Sequence, residues 1–140
     1  MGNQNETKIR TCLLVDDDDD DKEIFCLALE QADPSIKCVT ASDGREALSI
    51  LKVESFVPDY IFLDLNMPLM DGKECLREIR KQKRLANVPV IIFTTSSAEK
   101  DKEETKKLGA NAFITKPPHV SMLAKKLTDI FNDHQVLNKS

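Results

Sequence analysis

The chain has 140 residues, of which 41% are hydrophobic and 31% are charged, and its formal net charge at pH 7 is −4. This length and balance are typical of one globular domain and exclude a disordered or fibrous protein. The mild acidity, with lysines spread among glutamates, argues against nucleic-acid binding, which needs a concentrated basic patch.

The start of the chain, residues 1–8, is polar and lacks the apolar core of a secretory signal. We expect residues 1–9 to be disordered, residues 10–134 to form one domain, and residues 135–140 to be a tail. About 24 residues follow Lys116, and we therefore expect no output domain after it. Apolar runs reach about half a dozen residues, against the roughly 20 of a membrane-spanning helix. We therefore expect a cytoplasmic protein without membrane contact.

Five short segments rich in apolar residues alternate with helical patterns and predict β-strands. They are Thr11–Val15, Lys37–Ala41, Tyr60–Leu63, Val90–Thr94 and Ala112–Thr115. The first and the fourth are almost entirely apolar, as expected when helices cover both faces of a parallel sheet. We predict an α/β fold of the flavodoxin-like, doubly wound type, with five parallel strands in the order 2-1-3-4-5 and five helices.

Three of the predicted helices begin with a capping signal, in which an acidic or hydroxyl side chain is followed three residues later by glutamate. These are Asp43 with Glu46, Asp71 with Glu74, and Ser96 with Glu99. Pro34 and Gly109 are expected to end the first and the fourth helix. The apolar spacing predicts that the first helix buries Ile24, Leu27 and Ala28.

A run of six aspartates, Asp16–Asp21, follows the first strand. Its first two members lie next to the strand, whereas the other four are expected to stabilise the N-terminus of the first helix. The run is not an EF-hand loop, because position 6 is Asp21 where glycine is needed and position 12 is Leu27 where glutamate is needed. The four cysteines are Cys12, Cys26, Cys38 and Cys75. Their wide spacing favours reduced thiols in the core.

Polar residues follow the carboxyl ends of four predicted strands. Asp16 and Asp17 follow the first strand and Asp64 follows the third, while Thr94 closes the fourth and Lys116 follows the fifth. In a doubly wound sheet of this order, these ends meet at one crevice. Three neighbouring carboxylates repel one another and favour a hard cation such as Mg²⁺. The arrangement predicts that Asp64 accepts a phosphoryl group whose oxygens bind Thr94 and Lys116.

Four motifs resemble those of the receiver domains of two-component response regulators, over nearly the whole chain. They are Leu14-Val15-Asp16-Asp17, Asp64-Leu65-Asn66-Met67-Pro68-Leu69-Met70-Asp71-Gly72, Phe93-Thr94, and Gly109-Ala110 leading to Lys116-Pro117. The stretch 93–99 is similar to that of stand-alone receivers, some of which are paired with phytochrome-type kinases. The resemblance implies a single-domain response regulator that slowly dephosphorylates itself and is not a turnover enzyme.

The resemblance also implies roles for individual residues. Asp64 would be the phosphoacceptor, and Lys116 and Thr94 would bind the phosphoryl group. The implied Mg²⁺ ligands are Asp16, Asp17, Asp64 and the backbone carbonyl of Asn66. Phosphorylation would draw Thr94 inward and let Phe113 move in behind it. Phe113 would serve equally well as an ordinary core residue.

The implied partners are a sensor histidine kinase or phosphotransfer protein as donor and a downstream protein as target, and a homodimer stays open. Other function classes are less well supported. A phosphatase that forms aspartyl phosphate would usually need an aspartate where the chain has Asn66. A nucleotide-binding protein would need a glycine-rich loop in place of the aspartate run. A phosphorylation-independent adaptor with an intact pocket remains an alternative.

Overall fold

The computed structural model describes residues 9–133, which form alternating strands and helices. The strands are β1 (Thr11–Val15), β2 (Lys37–Ala41), β3 (Tyr60–Leu63), β4 (Val90–Thr94) and β5 (Ala112–Thr115). The helices are α1 (Asp19–Ala32), α2 (Gly44–Leu51), α3 (Gly72–Arg80), α4 (Glu99–Lys107) and α5 (Val120–Phe131), with a 3-10 turn at Lys83–Leu85. Residues 1–8 and 134–140 lie outside the described range, and with them most of the predicted segment 1–9, the last residue of the predicted domain 10–134 and the whole predicted tail 135–140.

The strands form one parallel sheet in the order β2-β1-β3-β4-β5, which confirms the predicted topology. The register aligns the carboxyl ends of neighbouring strands. Val15 pairs with Leu63 across β1 and β3, Leu63 pairs with Ile92 of β4, and Thr94 pairs with Thr115 of β5. The residues that follow these ends therefore lie along the same edge of the sheet.

Both faces of the sheet are covered, which explains why the central strands are apolar at consecutive positions. On one face, Leu13, Val15 and Ile92 belong to a core that includes residues of α2 and α3. On the other, Leu14 and Phe93 belong to a core that includes residues of α1 and α5. Every residue of β3 and β4 is buried. The sheet thus provides a rigid base for the loops at its carboxyl edge.

The prediction that α1 buries Leu27 is wrong. The side of α1 that faces the core carries Phe25, Ala28 and Leu29, which follow the helical spacing of three and four residues. Leu27 lies two residues from Phe25 and falls on a different side of the helix, where 49% of its surface is exposed. The ring of Phe25 contacts that of Phe62 edge-on, with centroids 4.9 Å apart, and this contact fixes α1 against the sheet.

The predicted capping signals of α2 and α3 are confirmed. Asp43 Oδ1 accepts from the backbone N–H of Glu46 at 2.8 Å, and Asp71 Oδ1 accepts from that of Glu74 at 2.9 Å. Both side chains satisfy a donor that a helix would otherwise leave unpaired at its N-terminus. Asp71 thereby fixes the start of α3, which packs against the loop that carries Asp64.

The predicted cap of α4 by Ser96 is wrong, because the residue before α4 is Ala98 and, in the part of the chain that the structure describes, no side chain caps this helix. The Ser96 hydroxyl instead donates to Asp101 Oδ2 at 2.6 Å and accepts from the backbone N–H of Ala98 at 3.2 Å. Gly109 ends α4 as predicted, with a φ of 109° that favours glycine. Its carbonyl accepts from Arg80 Nε of α3 at 3.1 Å.

The four cysteines are free thiols, as predicted, but they do not all lie in the core. Cys12 and Cys75 are buried, Cys38 is partly buried and Cys26 is exposed. Burial raises the pKa of Cys75 to about 12, which keeps this thiol protonated at neutral pH. No helix among residues 9–133 is long and apolar enough to cross a membrane.

Helix α4 has one buried residue, Thr105, and therefore little apolar packing against the rest of the domain. Charged contacts hold it in place instead. Lys73 of α3 donates to Asp101 at 2.7 Å and to Glu104 at 2.5 Å. The hydrogen bonds from Lys73 and then Ser96 lower the pKa of Asp101, while those to Asp101 and Glu104 raise the pKa of Lys73. The position of α4 therefore depends on the ionisation of a few side chains.

We expect Lys73→Ala to lower the free energy of unfolding by about 0.5–1 kcal/mol near neutral pH, because the ion pairs of Lys73 remain partly exposed to solvent. A carboxyl with a lowered pKa stabilises the fold above its ordinary pKa and loses this effect as the pH falls through the lowered value. The difference from wild type should therefore vanish in acid. Urea titrations over pH measure it, with the 79% exposed Lys100 changed to alanine as control. Equal losses in both variants would contradict the prediction.

Candidate functional site

Three carboxylates meet at the carboxyl edge of the sheet. Asp16 and Asp17 directly follow β1, and Asp64 directly follows β3. One oxygen from each of them lies within 4.8 Å of the other two. Asp16 and Asp64 are buried, whereas Asp17 is exposed, so the cluster is open to solvent on one side. The sequence correctly predicted that these residues converge.

Lys116 brings a positive charge into this cluster from the end of β5. Its Nζ lies 2.8 Å from Asp16 Oδ2, 3.2 Å from Asp64 Oδ2 and 2.7 Å from Asp21 Oδ2. Nζ also lies 5.2 Å from the centre of the Phe93 ring. Burial alone would lower the pKa of Lys116, but its carboxylate partners outweigh burial and raise it. Lys116 is therefore a permanently charged counter-ion of the cluster.

The Asp16 carboxylate lies where burial disfavours a negative charge. Burial raises its pKa, and the contact with Lys116 and the hydrogen bond from the Asp18 N–H offset this only in part. Asp16 Oδ1 accepts from Asp18 N at 3.0 Å, while Oδ2 has the ion contact with Lys116 but no well-directed hydrogen bond from any residue in the range 9–133. A buried oxygen of this kind has capacity for a further positive partner.

The donor set fits a hard divalent cation. Three carboxylates supply oxygen ligands, and the exposed side of the cluster leaves room for the water molecules that such an ion retains. Asn66 lies beside the cluster, because its backbone N–H donates to Asp64 Oδ1 at 3.3 Å. The role of its carbonyl as a further ligand stays a prediction.

The loop from Asp64 to Gly72 holds the central carboxylate in place. Gly72 N donates to the Leu65 carbonyl at 3.0 Å, which closes the loop onto the start of α3. A Cβ atom on Gly72 would lie 2.2 Å from the Asp64 carbonyl oxygen, a distance that no side chain can occupy. Within this loop, Leu69 has a φ of 71° in the left-handed region, with 71% of its surface exposed. Glycine at position 72 thus sets how closely α3 approaches Asp64.

The contact between Asp21 and Lys116 is not predicted by the sequence, which places Asp21 among the residues expected to stabilise the N-terminus of α1. The structure divides this group, since Asp18 caps the helix by accepting from Asp21 N at 3.0 Å. Asp19 and Asp20 are exposed on the first turn of α1. Asp21 alone among the four contacts Lys116. Its position one helical turn into α1 was a usable signal, but only once the start of the helix was known.

Thr94 and Phe113 face the same side of the sheet. Phe113 pairs with Ile92, which is two residues before Thr94 on β4, and successive side chains on a strand alternate between faces. Thr94 is fully buried, and its Oγ1 accepts from Ser96 N at 3.5 Å. Phe113 is only partly buried and lines a cavity of about 260 Å³ next to α4. Lys102 Nζ lies 5.9 Å from the centre of its ring.

Comparison with known proteins decides the family, because the model of the response regulator receiver domain matches residues 12–128. The chain belongs to the response regulator receiver family. This receiver is 31% identical over 126 residues to the response regulator Rcp1 of Synechocystis sp. (strain ATCC 27184 / PCC 6803 / Kazusa), and the match covers 86% of each chain. In three other curated relatives, the matched receiver spans 41%, 31% and 13% of the length.

Two solved receiver structures support the same assignment. The phosphorylated cyanobacterial phytochrome response regulator RcpA has a TM-score of 0.80 and 31% identity, with 95% of this chain and 97% of that chain covered. The Mn²⁺-bound form of Rcp1 has a TM-score of 0.76 and 29% identity, with 94% and 96% covered. Receivers of this family accept phosphoryl groups in signalling with histidine kinases or phosphotransfer proteins, bind divalent metal, and are not turnover enzymes.

Proposed function

We propose that this chain is a single-domain cytoplasmic response regulator in which Asp64 accepts a phosphoryl group in the presence of Mg²⁺. The observation that carries the proposal is the position of Asp64, which is buried, 3.2 Å from Lys116 Nζ, and within reach of the oxygens of Asp16 and Asp17. The similarity to Rcp1 over most of both chains supports a receiver that acts as a separate protein. The same similarity supports a domain of residues 10–134 with short flanking segments.

The donor is a phosphohistidine of a sensor kinase or a phosphotransfer protein. An oxygen of Asp64 forms a bond to phosphorus while the bond between phosphorus and the imidazole nitrogen breaks, and the imidazole keeps that electron pair. Lys116 offsets charge on the phosphoryl oxygens, and the Thr94 hydroxyl donates to one of them. Mg²⁺, when bound by Asp16, Asp17, Asp64 and the Asn66 carbonyl, supplies further neutralisation of the carboxylates and the phosphoryl group.

Hydrolysis of the aspartyl phosphate resets the receiver slowly. Water attacks phosphorus, the bond between phosphorus and the Asp64 oxygen breaks, and inorganic phosphate leaves. Position 66 is Asn66, so the site lacks a carboxylate there that would take a proton from the attacking water. Slow hydrolysis of the aspartyl phosphate lets the signal last until a partner binds. A phosphatase, by contrast, would hydrolyse this intermediate quickly.

The proposed readout surface comprises α4, β5 and α5, and a downstream protein binds there. Its mobile element is α4, since a helix with one buried residue is held mainly by its charged contacts. Thr94 moves toward the phosphoryl group, and Phe113 moves toward the space left behind. The cavity beside Phe113 supports such movement. A phosphoryl group shifts this equilibrium only if it binds the inward state of Thr94 more tightly.

The partners that we propose are proteins. The similarity to RcpA, a cyanobacterial phytochrome response regulator, supports a phytochrome-type kinase as the phosphoryl donor. The net charge of −4 gives no support for nucleic-acid binding, and we propose no membrane contact. A second copy of this chain, bound through the readout surface, is a further proposed partner. Light scattering tests this homodimer by measuring the molar mass in solution. The alternative function is a phosphorylation-independent adaptor, for which an intact pocket would also serve.

Intact mass spectrometry after incubation with acetyl phosphate and Mg²⁺ tests the proposed function. We expect a phosphoryl-sized gain of mass in the wild type and none in Asp64→Asn, because an amide cannot form the acyl phosphate. EDTA should abolish the gain by removing the cation. Asp133→Asn, a change of the same kind beyond α5, is the matched control and should gain the same mass as wild type. Folded wild-type protein that gains no mass would make the adaptor the leading hypothesis.

A further inference from the structure

We propose that Asp21 is a positioning residue that holds the ammonium group of Lys116 beside the phosphoryl-accepting oxygen of Asp64. This inference rests on the proposed function of Asp64. It assigns to the aspartate run a role beyond the metal cluster and the helix cap. The contact that carries it joins Lys116 Nζ to Asp21 Oδ2 at 2.7 Å, shorter than the 3.2 Å from Nζ to Asp64 Oδ2.

Lys116 needs such a restraint because of its chemistry. An ammonium group is a point charge on a flexible four-carbon side chain and has no fixed hydrogen-bonding direction of its own. Here it is shared by carboxylates of three different elements: Asp16 after β1, Asp64 after β3 and Asp21 in α1. A cation shared in this way has one favourable position, and removing one partner lets it move toward the other two.

Asp21 differs from the other two partners because it is free of the metal cluster. The oxygens that lie within 4.8 Å of one another come from Asp16, Asp17 and Asp64, and Asp21 is not among them. An Asp16 oxygen that binds a cation is no longer available to Lys116, and Asp64 changes its charge and shape when it is phosphorylated. Asp21 is therefore the one carboxylate partner of Lys116, among the described residues, that stays the same throughout the proposed reaction.

The neighbouring Asp20 offers a matched control. It carries the same charge, lies on the same turn of α1 and is exposed, and it has no contact with another charged side chain among the described residues. Asp20→Asn and Asp21→Asn therefore remove one negative charge from almost the same place. Any effect of net charge or of the helix dipole should appear in both variants, whereas loss of the Lys116 contact occurs only in Asp21→Asn.

Nitrogen NMR of the lysine ammonium groups, without metal or phosphodonor, tests the restraint directly. The Lys116 side chain is 10% exposed and surrounded by acceptors, so its ammonium protons should exchange slowly enough with water to be observed in wild type. We expect Asp21→Asn to broaden or shift this signal and Asp20→Asn to leave it unchanged. Lys116→Gln identifies the signal by its loss. An unchanged signal in Asp21→Asn would overturn the inference whatever the function of Asp64.

The rate of phosphorylation by acetyl phosphate, at saturating Mg²⁺, tests the consequence. We expect Asp21→Asn to be slowed by about tenfold or more, because small displacements of a charge-stabilising group are costly in rate. Asp20→Asn should stay within about twofold, and Asp21→Glu should recover part of the loss. Equal rates for the two asparagine variants would overturn the inference. A wild type that is never phosphorylated would instead overturn the proposed function.

Discussion

Replacing Gly72 with alanine is expected to lower the free energy of unfolding by about 2–3 kcal/mol and to impair phosphorylation of Asp64. The new Cβ would lie 2.2 Å from the Asp64 carbonyl oxygen and 2.6 Å from the Leu65 Cα. Both atoms belong to the backbone, so the clash can be relieved only by moving the loop or α3. Either movement displaces the Asp64 carboxylate relative to Lys116.

Gly44→Ala is the matched control, because Gly44 is the first residue of α2 as Gly72 is of α3. There a Cβ would meet only the side chain of Met70, 3.0 Å from its Sδ and 3.2 Å from its Cβ and Cγ. Rotation of the flexible Met70 side chain relieves the first contact, and a small shift relieves the others, so the cost should be lower than at Gly72, where backbone atoms are in the way. Urea unfolding of both variants and their phosphorylation rates with acetyl phosphate measure the difference. The prediction fails if Gly72→Ala is as stable as Gly44→Ala and is phosphorylated equally fast.

Replacing Lys116 with methionine is expected to destabilise the metal-free protein by about 3 kcal/mol, since removing one partner of a buried ion pair leaves uncompensated charge. Asp16 is fully buried and the side chain of Asp64 is 6% exposed, so neither is adequately hydrated once the ammonium is lost. Mg²⁺ should reduce the difference in free energy of unfolding between Lys116→Met and wild type. A cation bound among these carboxylates restores the missing positive charge and stabilises the native state. Phosphorylation should be nearly abolished.

Urea titrations with EDTA and with Mg²⁺ give the two stabilities of each protein. Lys125→Met serves as control, because Lys125 is an exposed lysine of α5 and should show neither the loss nor the rescue. If Lys116→Met unfolds at the wild-type urea concentration in EDTA, the ammonium does not offset the burial of these carboxylates. If Mg²⁺ stabilises both proteins equally, Lys116 and the cation do not compensate the same charges.

The central strands could be predicted because a parallel strand covered on both faces needs apolar residues at consecutive positions. Their order is that of the doubly wound fold and does not follow from the apolar pattern. The convergence of Asp16, Asp64 and Lys116 followed from topology alone, since the rule concerns strand ends rather than side-chain contacts. These predictions depended on features that are local in the sequence. They needed no knowledge of which helix face meets the sheet.

The features that the sequence does not predict depend on where a helix begins and on its rotation about its own axis. Asp21 stands in a run of identical residues, and its contact with Lys116 exists because α1 begins at Asp19 and points the third residue of the helix into the crevice. The apolar spacing predicts burial of Leu27, but the buried residue is its neighbour Ala28. Ser96 was assigned to a cap, although its hydroxyl bonds instead to Asp101. Each of these side-chain positions depends on the residue at which a helix begins and on the direction in which its faces point, and neither follows from composition and spacing.

The single buried residue of α4 has a thermodynamic consequence. The heat-capacity change of an opening reaction grows with the apolar surface that it exposes. Detaching α4 uncovers Thr105 and separates mainly charged groups, so its heat-capacity change should be small compared with that of global unfolding. The free energy of this local opening should then vary almost linearly with temperature, while the stability of the whole domain follows a curve. The signalling element and the core that carries it would respond differently to the same warming.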